Sequence, residues 1–124
     1  MKLYLNNTQR NLLLEILRSS ENNAIHGKDV ELANSFSELY RSIEPKNLAY
    51  VSLDRADAET IVEFCEVVRR SLDKAIAFLN KDTERSANEI EDLKDEAEKA
   101  RDQIEEIVNQ LQDKIKKNPV QGHA

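Results

Sequence analysis

The chain has 124 residues and a net charge of −6, with 34% charged and 40% apolar residues. This length fits one compact domain or a small domain with an extension, and the apolar content excludes a disordered chain. With two glycines and two prolines, the chain lacks the turn residues of all-β folds and the glycine-rich loops of nucleotide-binding enzymes.

The cysteine and hydropathy patterns predict a cytoplasmic protein. Cys65 is the single cysteine, so an intramolecular disulfide is impossible and a reducing compartment is the simpler interpretation. The apolar run at residues 1–5 is too short for a signal peptide, and no stretch has the apolar length of a membrane helix. The acidic balance argues against nucleic acid and anionic membranes as partners.

Two amphipathic helices are predicted before Pro45. Asn6 fits an N-cap with Gln9 as its capping-box partner, and the polar run 19–23 predicts the end of the first helix. Pro45 predicts the end of the second helix, because the residue before a proline disfavours helical geometry. The apolar stripe of the second helix consists of Leu32, Phe36, Leu39, Tyr40 and Ile43.

The apolar patch 48–53 fits a strand or a hydrophobic staple, and Asp54 after it fits the N-cap of a third helix. Leu3 and Leu5 resemble Val51 and Leu53 at an offset of 48 residues, so the two segments could pair as short strands. The simpler interpretation of this similarity is coincidence between two capped helices.

The fold class predicted from these elements is all-α. A compact three-helix core, with room for two very short strands, is expected over residues 1–80. A long, charged, coiled-coil-like helix is expected over 81–117, and a frayed tail over 118–124. No glycine or proline lies between Arg55 and Lys117, and the weakest point for a helix is Asn80–Thr83, where Asp82 or Thr83 would cap a new helix.

The long helix carries a heptad pattern. Its apolar seam predicts self-association, and the charge pairs Glu89–Lys94 and Glu96–Arg101 favour a parallel dimer; extra apolar residues near the end fit a higher oligomer. The alternative is an intramolecular hairpin in which this helix folds back on the core. The predicted seam consists of Ile90, Leu93, Ala97, Ala100, Ile104, Ile107 and Leu111.

Acidic residues outnumber basic ones along the same helix. The simple interpretation is a solvated face that compensates the helix dipole. The sharper hypothesis is an acidic surface that imitates nucleic-acid phosphate and blocks a basic cleft of a partner. The predicted acidic face consists of Glu91, Asp92, Asp95, Glu98, Asp102 and Glu105.

No catalytic, cofactor-binding or metal-ligating constellation is predicted. Cys65 lies on the apolar stripe of the third helix, which favours a buried structural thiol over a nucleophile. Arg69, Arg70 and Lys74 form the one compact basic cluster outside the tail. This cluster is either a solvent-facing edge or a local contact for an acidic partner or phosphate.

The function predicted from these features is a non-enzymatic, regulatory or adaptor protein that self-associates through its C-terminal helix and contacts an unidentified protein. No cofactor is expected. One alternative is a small winged-helix-like DNA-binding regulator with a dimerising helix, although residues 29–36 lack the basic recognition helix of that class. The other alternative is the acidic inhibitor described above.

Overall fold

The computed structural model describes residues 1–45 and 50–117, and it is all-α apart from one very short sheet, as predicted. Leu48 and Ala49 of the apolar patch and the predicted frayed tail 118–124 lie outside the described residues. The elements are β1 (Lys2–Leu3), α1 (Asn7–His26), α2 (Val30–Ile43), β2 (Val51–Ser52), α3 (Arg55–Asn80) and α4 (Ala87–Lys117).

Two helix starts and one helix end lie where the sequence predicts them. The Asn6 side chain accepts from the backbone N–H of Gln9, and the Gln9 side chain accepts from the Asn6 N–H, which completes a capping box. Asp54 accepts from the N–H of Asp57 at the start of α3. The second helix ends at Ile43, two residues before Pro45.

The predicted end of α1 within residues 19–23 is wrong, because the helix continues to His26. The Ser20 hydroxyl donates to the carbonyl of Ile16, so this polar residue is satisfied inside the helix. Ala24, one turn later, is buried in the core and anchors the last turn. The polar run is therefore the solvent-facing side of a helix and not a loop.

The turn between α1 and α2 places strain on a lysine. Lys28 has φ of 62°, in the left-handed region that costs an L-residue roughly 1–2 kcal/mol. Gly27 next to it has φ of −80°, so the glycine does not occupy the position that needs one. We expect Lys28→Gly to raise the free energy of unfolding by about 0.5–1 kcal/mol in urea denaturation. Gly27→Ala, the control, should not stabilise similarly, and an unchanged or lower stability of Lys28→Gly would contradict the expectation.

The chain reverses direction between α3 and α4. Asp82 accepts from the backbone N–H groups of Glu84 and Arg85 and organises the turn. The cap of α4 is Ser86, which accepts from the N–H of Glu89. The expectation that Asp82 or Thr83 caps the helix after this turn, α4, is therefore wrong, because Ser86 with Glu89 three residues later provides a better cap.

Strands β1 and β2 pair in antiparallel register, Lys2 with Ser52 and Leu3 with Val51. The Leu3–Val51 pair joins the two positions that resemble each other in sequence at an offset of 48. Leu3 and Val51 are both buried, so the small sheet covers one side of the core and fixes the starts of α1 and α3.

The hydrophobic core extends beyond the first three helices, because α4 returns to it. Polar contacts hold α4 against the N-terminal segment. The Gln9 amide donates to Glu106 at 2.6 Å, and the Gln110 side chain exchanges two hydrogen bonds with the backbone of Tyr4 at 2.6 and 2.9 Å. The α4 residues in the core are Ile104, Ile107, Val108 and Leu111.

Candidate functional site

Helices α3 and α4 form an antiparallel hairpin. Arg101 on α4 lies 3.4 Å from Asp73 on α3, and Arg69 on α3 lies 3.9 Å from Glu105 on α4. The earlier α3 residue, Arg69, pairs with the later α4 residue, Glu105, and the later Asp73 pairs with the earlier Arg101, so the two helices run antiparallel. In the single chain, the heptad pattern is thus satisfied by the intramolecular hairpin that the sequence left as an alternative.

The predicted seam is divided by this arrangement. Its C-terminal part, Ile104, Ile107 and Leu111, is fully buried in the core. The distal part is less covered: Ile90, Ala97 and Ala100 are half-buried, and Leu93 is 39% exposed. Self-association through these residues stays a prediction, and in this conformation only the distal part of the seam is accessible to it.

We call residues 73–103 the distal arm. All of them are described, and none belongs to the core or packs against it as a partly buried apolar residue. Ile76 and Leu79 are nevertheless buried, because the two helices of the hairpin cover each other. The distal arm is therefore a two-helix coiled coil that extends from the core.

The outer face of α3 carries a basic strip, of which the sequence predicted Arg70 and Lys74 but not Phe78 and Lys81. Arg70, Lys74 and Phe78 follow one another at successive turns of α3, and Lys81 is the C-cap residue after its end. All four are exposed. Phe78 is 66% exposed. The signal in the sequence was an aromatic residue lying off the apolar stripe with a lysine one turn to either side. We call these four residues the basic strip.

The basic cluster predicted from the sequence is only partly preserved. Arg69 turns towards the hairpin and pairs with Glu66 and Glu105. Arg70 and Lys74 remain on the outer face, and among the described residues neither is ion-paired with a carboxylate. Arg70 and Lys74 therefore belong to the basic strip.

An apolar groove of about 580 Å³ lies where α1, α2 and α3 meet. Phe36 and Phe64 form its floor, with ring centroids 4.8 Å apart in an edge-to-face arrangement. Val67 at its margin is 47% exposed. Among its lining residues, all of them described, two are acidic, Glu15 and Asp29, and none is basic. We call this surface the acidic groove.

The predicted acidic face lies on the accessible side of α4. Five of its residues share one helical face, and Asp92 lies beside them. Glu105 and Asp102 are engaged by arginines of the chain, whereas Glu91, Asp95 and Glu98 border a shallow notch next to Lys94 at the tip of the hairpin. The interpretation as a phosphate mimic stays a prediction.

The described residues hold little that resembles catalytic chemistry. The Cys65 thiol is fully buried, and this burial, with a smaller effect from Glu66, raises its pKa to about 12, which suppresses the reactive thiolate. Within residues 1–45 and 50–117, no cluster of three or more His, Cys, Asp or Glu side chains is placed to hold a metal ion. Over the same residues, no helix has the length and hydropathy needed to cross a membrane.

The structure adds little to the DNA-binding alternative. The exposed charges of α2 are Glu31, Glu38 and Arg41, so the helix in the recognition position is acidic on balance. Nucleic-acid-binding helices normally present a basic face. Within residues 1–45 and 50–117, the one strand in the position of a wing is β2, which has two residues and pairs with β1.

Residues 66–117 match the family described as prefoldin subunit. The match begins in α3, runs through the distal arm and ends with α4, and it covers less than half of the chain. Comparisons with curated proteins and with solved structures gave no match. Prefoldin subunits are helical coiled-coil proteins of a non-enzymatic chaperone type that assemble with other subunits. The similarity supports a helical coiled-coil role in protein interaction or of a chaperone type.

Proposed function

We propose that this chain is a non-enzymatic protein-interaction protein that self-associates through its distal arm. The observation that carries the proposal is the half-covered seam of the arm, with Leu93 39% exposed on a coiled coil that extends from the core. A heptad seam that its partner helix leaves partly uncovered can pack against a helix of another chain. The match of this segment to an oligomer-forming family supports the same function.

The proposed contact is restricted to the distal arm. A parallel coiled coil along the whole seam would require Ile104, Ile107 and Leu111 to leave the core, at a cost of roughly 2–5 kcal/mol for each large side chain. Arg101, one member of the expected parallel charge pairs, is already engaged by Asp73 within the chain. The distal seam is accessible without any such rearrangement.

The test is the solution mass of the Leu93→Asp variant, measured by light scattering over a range of concentrations. We expect wild type to form a dimer or larger species and Leu93→Asp to associate at least tenfold more weakly through the seam, because a carboxylate is costly to bury in an apolar contact. Asn88→Asp on the same helix is the charge-matched control and should associate like wild type. A monomeric wild type, or a Leu93→Asp variant that associates normally, would contradict the proposal.

We also propose a cytoplasmic location for this protein. We place the protein in the cytoplasm because its one cysteine is a buried free thiol that forms no disulfide. Besides a second copy of this chain, the partner that we propose is another protein.

A further inference from the structure

The distal arm and the core present two surfaces of opposite character. The basic strip has an exposed aromatic ring with Lys74 and Lys81 one turn before and after it. The acidic groove has an apolar floor with Glu15 and Asp29 at its margin and no basic residue in its lining. Lys74 and Phe78 follow Val67 of the groove margin by seven and eleven residues on α3, so the strip continues the helix face that borders the groove.

The charges on both surfaces are available for pairing. Neither Lys74 nor Lys81 lies within ion-pair distance of a carboxylate in the described part of the chain, and the same holds for Glu15 with respect to cations. The Asp29 carboxylate accepts a hydrogen bond from the backbone N–H of Leu32 at the start of α2. Unpaired opposite charges of this kind steer two surfaces together and fix their register.

We propose that the basic strip of one copy docks in the acidic groove of a second copy. Phe78 then lies over the apolar floor at Phe36 and Phe64, and the two lysines face the carboxylates at the margin. The lysines are seven residues apart, about 10 Å along the helix axis at ~1.5 Å per residue, so they flank an aromatic ring that enters the groove. This contact involves the core as well as the distal arm, and it is additional to the seam contact of the proposed self-association.

Because the strip and the groove consist of different residues, each copy can donate its strip to one neighbour and accept the strip of another, which gives chains or a closed ring. Two copies can also exchange strips about a two-fold axis, which stops at a dimer. In either arrangement, every contact needs one intact strip and one intact groove.

Two variants separate the surfaces. Phe78→Ser removes the ring of the strip and leaves the groove intact. Glu15→Lys combined with Leu32→Lys makes the groove margin basic and leaves the strip intact. All three positions are exposed, so both variants should fold, which circular dichroism checks. The matched control is Ala77→Ser, an exposed neighbour of Phe78 outside the strip.

The decisive measurement is sedimentation velocity on each variant alone and on an equimolar mixture, all in the Leu93→Asp background, which removes the seam contact and leaves the strip and the groove intact. We expect each variant alone to be monomeric where the Leu93→Asp parent is associated, a weakening of at least tenfold. We expect the mixture to form a 1:1 heterodimer and nothing larger, because it contains one intact strip–groove pair. Ala77→Ser should behave like the Leu93→Asp parent, and high salt should weaken the strip–groove contact.

Other outcomes would overturn the inference. A mixture that stays monomeric, or a Phe78→Ser variant that associates like the Leu93→Asp parent, rules out the strip–groove contact. If Leu93→Asp alone is already monomeric while wild type associates, self-association through the seam stands and the strip–groove contact fails. A monomeric wild type that instead binds an unrelated basic amphipathic peptide would assign the groove to a different partner and overturn the second-copy assignment.

Discussion

Replacing Leu111 with alanine is expected to lower the free energy of unfolding by about 2–5 kcal/mol. Leu111 is 0% exposed and belongs to the central core together with residues of α1, α2 and α3. Its removal takes apolar surface from the core and leaves a cavity that rigid neighbours fill only in part. Urea denaturation at neutral pH measures the effect directly.

The matched control is Leu93→Ala. It makes the same chemical change on the same helix and the same heptad seam, but at a side chain that is 39% exposed. Measured at a concentration where the protein is monomeric, it should cost less than about 1 kcal/mol. Equal costs for the two variants would mean that α4 does not return to the core as described. A large cost for Leu111→Ala alone establishes that the C-terminal part of the seam is structural.

This contrast shows what the sequence was able to predict about α4. Its heptad pattern is the same whether the seam meets another chain or α3 of its own chain, because both partners offer an apolar helix face. The turn that decides between them depends on Asp82 and Ser86, two capping residues in a polar stretch without glycine or proline. Periodicity therefore predicted the helix correctly but left its partner open.

The elements near the N-terminus were easier to predict because their signals are local. Asn6 and Gln9 form their capping box within one turn, and Asp54 caps α3 in the same way. The acidic groove was missed for the opposite reason. Its floor joins Phe36 and Phe64, which come from different helices, and no local pattern reveals that meeting.

The exposure of Val67 also differs from what the local sequence pattern predicts. In sequence it widens the apolar stripe of α3, which favours burial, but it is 47% exposed at the groove margin. The apolar stripe of α3 is wider than the helix face that the core covers, and an apolar residue outside the covered face indicates a second contact surface. Phe78, further along the same helix, carries the same signal with lysines on either side of it.

The Cys65 thiol is expected to make the stability of this protein depend on alkaline pH. Burial raises the pKa of the thiol from its ordinary 9.0 to about 12 in the folded chain. In the unfolded chain the thiol ionises near its ordinary value, so above pH 9 the unfolded state binds fewer protons than the folded state. The stability contributed by the neutral thiol is therefore complete below pH 9 and is lost as the pH rises towards 12.

The expected slope is about 1.4 kcal/mol per pH unit within this window. Lysines and tyrosines titrate in the same range, so the measurement is the difference between wild type and Cys65→Ala, followed by urea denaturation under reducing conditions from pH 8 to pH 11. The alanine variant carries a cavity cost that does not change with pH, and this cost cancels from the slope. We expect the advantage of wild type to shrink by about 2–3 kcal/mol over that range. Parallel pH curves for the two proteins would contradict the buried, neutral thiol at the centre of the core.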